Sequence, residues 1–191
     1  MLGNGTSRST IPLDTLSNTG TVYGCNALYR DYIPDYLIAV DSKMVLEINR
    51  NKIQYKTSVW TNPNKVFASL SNLNYFNPSK GWSSGPTALW KASEDTPHDT
   101  IYILGFDYKG IGQENAIVNN VYSGTENYKR TQDRATFYGN WLKQTVYTIQ
   151  KNSKKRYIRV LEDNGFTPLE FNKLKNLEHI SIDDFKEMFI T

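Results

Sequence analysis

Two short apolar runs constrain this chain more than anything else in it. Residues 36–40 (YLIAV) and 101–106 (IYILGF) are each closed at once by an aspartate, Asp41 and Asp107. A strand that is apolar on both faces belongs in the middle of a parallel sheet, where helices cover both sides. Parallel strands in turn need long crossover connections, usually helical. The sequence between the runs supplies them. Met44, Val45 and Ile48 have helical spacing over residues 42–51, and Pro86 opens a helix over 87–94 at the position where proline is welcome. Asp133 is expected to cap a helix that carries Phe137, Tyr138, Trp141, Leu142, Thr145, Val146 and Ile149 on one side. Further strands are expected at 21–23, 53–60 and 156–161, a helical turn at 11–16, and a helix after Ser181. Residues 61–82 read as a long loop with a helical piece at 66–70. Strands alternating with helices predict an α/β domain with a mostly parallel sheet, one domain over residues 1–191.

Composition narrows what such a domain does. The chain is only 39% hydrophobic, but 13 Tyr, 8 Phe and 4 Trp supply enough bulk to exclude disorder. A net charge of +3 is mild, and the densest basic stretch, 151–159, reads as a solvated helix end rather than a nucleic-acid surface. No apolar segment approaches the roughly 20 residues of a membrane span, and no signal-peptide pattern follows Leu2. The single Cys25 excludes an internal disulfide and suits a reducing cytoplasm.

Polar residues gather beyond the ends of the expected strands. Gly3, Asn4 and Gly5 follow an apolar pair and lead into Thr6, Ser7 and Arg8. Glycines let backbone approach an anion closely, and the hydroxyls and guanidinium add donors. Only Met1 and Leu2 precede this loop, so the first strand is a stub or begins upstream. Asn26, Asp41 and Asp107 each occupy a similar place after a strand. In open parallel sheets that edge is where ligands bind.

The segments GNGTSR, YGCNALYRD, PDYLIAVD, SSGPTALWKAS and IYILGFDY occur in that order over residues 1–108. The pattern resembles the Rossmann-like group that joins the Campylobacter-type sialyltransferases to archaeal hydroxymethylpterin diphosphokinase-like proteins. The resemblance implies a three-layer Rossmann-like fold with a mostly parallel sheet, and a nucleotide or sugar nucleotide as ligand. It places Gly3, Asn4, Gly5, Ser7 and Arg8 on nucleotide phosphate or ribose, and Asn26 on the nucleotide. Ser84, Gly85 and Thr87 would face the ligand from a helix N-terminus, and Asp107 and Tyr108 would line the catalytic centre. Asp41 is similar to the diphosphokinase-like branch. The sialyltransferases use a histidine from the segment after the strand that ends in G-x-D, here Gly105 to Asp107, and residues 108–134 contain none; only His98 and His179 exist.

From the residues themselves, Asp41 and Asp107 are candidates to share a magnesium ion, while capping of the next helix is the competing role for Asp41. Residues 108–132 are expected to form a lid over the ligand edge, with Gly110, Gly112 and Gly124 as bending points. Tyr122 and Tyr128 in it would also suit an oligomer contact. Three functions stay open at this point: a glycosyl or diphosphoryl transferase, a nucleotide-binding or sensing protein without turnover, and a partner-binding protein with a vestigial pocket.

Overall fold

A computed structural model describes residues 1–95 and 97–190. Seven strands form a four-stranded and a three-stranded sheet, all neighbours parallel. The first set holds β1 (Tyr23–Cys25), β2 (Tyr36–Ile38), β3 (Ser58–Thr61) and β4 (Leu73–Tyr75), in that order. The second holds β5 (Thr100–Leu104), β6 (Arg156–Leu161) and β7 (Leu177–Ser181). Leu2 joins them, bridging Gly24 on one side and Leu104 on the other. Its N–H donates to Tyr23 O at 2.8 Å, and the next amide, Gly3 N–H, donates to Leu104 O at 2.8 Å. The stub therefore lies at the centre of one parallel surface. The chain leaves it outward through β1 to β4, then returns to its other flank with β5.

The layers follow from alternation along the strands. Leu2, Leu37, Ala39, Val59, Leu104 and Val160 point to one face. There they meet Met44, Val45 and Ile48 of α1 (Ser42–Arg50) and Ile182 and Phe185 of α4 (Ile182–Phe189). Tyr23, Ile38, Ile101, Ile103 and Tyr157 point to the other, against Ala88, Leu89 and Ala92 of α2 (Ser84–Asp95) and Ile149 of α3 (Gly139–Lys151). The result is a three-layer α/β fold. Among the described residues, no helix is long and apolar enough to cross a membrane.

Several boundaries differ from the sequence expectation. The strand expected over 53–60 is a 3-10 turn at Ile53–Tyr55 followed by the four residues of β3. The loop expected over 61–82 contains β4. The helix expected to start at Asp133 starts at Gly139 instead. Before it the chain is extended against 116–118: Ala135 N–H donates to Ala116 O, and Val118 N–H to Asp133 O. The Asp133 carboxylate accepts from Arg130 N–H in a turn and caps nothing helical. Ser181 does begin α4, within a reciprocal capping box with Asp184.

Candidate functional site

The stub and β5 are neighbours; the segment after the stub packs Ile11 and Leu16 on the face of α1 and α4, while the helix that follows β5, α3, lies on the opposite face, which makes the gap between them a topological switch point. Their loops meet there. Gly5 N–H donates to Gly105 O at 2.9 Å, and Gly105 has φ +71°, a left-handed backbone that favours glycine. A Cβ at Gly5 would fall 2.5 Å from Asp107 Oδ2. These glycines let two backbones approach each other.

That contact changes the role of the loop. Ser7 donates both its N–H, at 3.1 Å, and its hydroxyl to the Asp107 carboxylate. Thr6 donates its N–H and hydroxyl to Asn119 Oδ1, each at 2.8 Å. The amides of Gly3, Gly5, Thr6 and Ser7 are thus all used within the protein, and Asp107 stands where an anion was expected. Arg8 is buried at 4% exposure. Its guanidinium donates to Gly3 O at 2.7 Å and to Tyr122 Oη at 3.0 Å, with Asp31 at 3.8 Å. It braces the loop from behind.

In front of the loops is a cavity of ≈ 520 Å³. It is walled by Gly3, Asn4, Gly5, Asn26, Asp41, Ser84, Gly85, Asp107 and Tyr108 among the expected site residues. Ser7, Arg8 and Thr87 do not line it. Thr87 is buried, and its hydroxyl donates to Ser83 O at 2.8 Å. Ser84 ties the start of α2 to the end of β2, its Oγ accepting from Val40 N–H at 3.0 Å. This brings the N-terminal amides of α2 to the cavity wall, where they favour an anion. Tyr108 is a wall without a free hydroxyl, because it donates to Thr145 Oγ1 at 2.6 Å and burial raises its pKa. Cys25 also lines the cavity; burial pushes its thiol up to about 12, against the opposing charge of Arg8, so it stays protonated.

The two aspartates are unequal. Asp41 occupies the N-cap position of α1 but makes no side-chain cap hydrogen bond, so its carboxylate is open to the cavity in a way that Asp107's is not. They also stand apart. β1 and the stub separate β2 from β5, so their ends lie on the order of 14 Å apart at the usual strand spacing. One magnesium ion with ligands at about 2.1 Å is too small to bridge two aspartates at that separation. The shared ion expected from sequence does not fit. Among the described residues, no three His, Cys, Asp or Glu side chains cluster as a metal site.

Sequence reasoning missed part of the wall. Asn62 follows β3 as Asn26 follows β1, and the same strand-end rule finds it. Trp82, Tyr138 and Trp141 supply aromatic surface; the two α3-side residues read only as a helix face. Asn119 and Asn120, from the segment expected to be a lid, complete it. That segment is laced to the site: Val121 N–H donates to Asn4 O at 2.9 Å, and Tyr128 Oη accepts from Asn4 Nδ2 and Ala27 N–H. Neither His98 nor His179 lines the cavity. No family model matches this chain, and neither a curated protein nor a solved structure matches it.

Proposed function

We propose that the cavity binds a nucleotide or sugar nucleotide and that the protein uses it in glycosyl or diphosphoryl transfer. The observation that carries this reading is the location of the cavity, at the switch point of a parallel sheet with a helix N-terminus in its wall. Phosphate belongs at the Ser84 and Gly85 amides. Ribose or base belongs against Asn4 and Asn26, with Trp82, Tyr138 and Trp141 as stacking surface. Asp41 is the carboxylate left to hold magnesium or to take a proton from an acceptor. Magnesium bound there would neutralise charge on the phosphates. A second reading, binding without turnover, is favoured by the engagement of Asp107 with Ser7 and of Tyr108 with Thr145.

Calorimetric titration with nucleotides and sugar nucleotides, with and without magnesium, tests the binding. Gly85→Val is the informative variant, because a Cβ there meets nothing nearer than the Phe106 ring at 3.7 Å. It should abolish binding with the melting temperature retained. Undiminished affinity in Gly85→Val, or no nucleotide binding by the native chain, would sink the proposal. Product release that is lost in Asp41→Asn separates transfer from sensing; binding without any product favours the second reading.

A further inference from the structure

The ends of five adjacent strands present the same kind of group to the cavity. In spatial order they are Asn62 after β3, Asp41 after β2, Asn26 after β1, Asn4 after the stub and Asp107 after β5. At the usual strand spacing the row is on the order of 19 Å long. The Oδ1 atoms of Asn4, Asn26 and Asn62 are each buried without a hydrogen-bond partner, and Asn4 as a whole is only 8% exposed. A buried acceptor without a donor is costly, so a row of three marks a place where donors arrive from outside. The remaining members of the row are carboxylates. Among the described residues, no Lys, Arg or His side chain lines the cavity.

We infer that the sugar held in this site is neutral or amine-bearing, and that acidic sugars are excluded. The inference rests on the sugar-nucleotide reading given above and narrows it. With Asn4 and Asn26 taken by the nucleotide, hydroxyl or ammonium groups of the sugar donate to the orphan oxygen of Asn62 and to Asp41. A sugar carboxylate would bring no donor to the Asn62 oxygen and would meet the charge of Asp41 with no cation among the cavity-lining residues to offset it. The amides of α2 favour an anion, and the phosphate takes them. Asn62 acquires a role by the same argument: it selects for a donor at the β3 end of the row.

The test pairs ligands that differ only in the carboxylate. The intact protein is titrated with UDP-glucose, UDP-galactose and their uronate forms. In parallel, free glucose, galactose, mannose, the three hexosamines and the three uronates are compared by saturation-transfer NMR. Neutral and amino sugars should bind at least about tenfold more tightly than their uronates, the size expected of one uncompensated like-charge contact. Asp41→Asn, which keeps a good N-cap residue, should narrow that ratio and weaken the hexosamines most. If no nucleotide-linked sugar binds but the free sugars show the ratio, the nucleotide reading falls and this inference stands. Uronates binding as well as their neutral partners would overturn it, as would the absence of any sugar binding in both arms.

Discussion

At the scale of single residues, the two aspartates that close the central runs do different work. Asp107 accepts two hydrogen bonds from Ser7 and fastens the glycine loop to β5. Asp41 makes no cap bond. Asp107→Ala is therefore expected to cost about 1–3 kcal/mol, because it strands the Ser7 donors, whereas Asp41→Ala should stay within about 0.5 kcal/mol. Urea melts of the two variants decide; equal losses would contradict the assignment. The sequence placed both carboxylates at strand ends and gave a structural competing role to Asp41 alone; the structural bond of Asp107 was hidden because Ser7 is 100 positions from its partner. The same distance hid the fate of Arg8. A guanidinium beside glycines reads as an anion ligand, and only the fold brings Tyr122 and Asp31 around it.

At the scale of elements, burial decided what was legible. β2 and β5 are covered on both faces and stand out as apolar runs. β4 and β7 are edge strands with much of their surface exposed, and no periodic signal marks them. The late start of α3 was hidden for another reason: Phe137 has the right spacing for a helix face yet is 78% exposed, between the residues that pair with 116–118 and the first residue of α3. A charged latch joins α1 to the laced segment. Glu47 of α1 is 3% exposed and accepts from the Tyr29 hydroxyl, from Arg30 Nε at 2.9 Å and from Asn127 Nδ2 at 2.6 Å. Burial alone would raise its pKa, but these hydrogen bonds and the Arg30 charge outweigh burial and hold it below the ordinary 4.5. A carboxylate depressed in the folded state adds stability above its unfolded pKa and loses it as pH falls through the folded one. The native chain should lose stability on the acid side of 4.5 more steeply than Glu47→Gln does. Parallel acid profiles, measured by denaturant melts, would remove the latch from the account.

At the scale of the whole molecule, the α/β class and the parallel sheet were readable from alternation, and the strand-end edge located most of the cavity wall. The order of the strands was not readable, because nothing local says that a two-residue stub separates β1 from β5. That stub also dictates how the chain assembles. Each half of the sheet can form from segments close in sequence, but Leu2 pairs with Leu104 across about a hundred residues, at an entropic cost of about 4 kcal/mol for closing such a loop. The pairing of the stub with β5 is then the last to form, after the folding barrier, whereas its pairing with Gly24 of β1 is local. Leu2 is 2% exposed, and Leu2→Ala should cost about 2–5 kcal/mol. That loss is expected in a faster unfolding rate, with refolding nearly unchanged. A chevron in which Leu2→Ala slows refolding by the full amount would put the stub in the nucleus instead. With that pairing last, the chain passes through a state whose halves are built and not yet joined, with the stub and β5 presenting unpaired edges to any extended chain nearby.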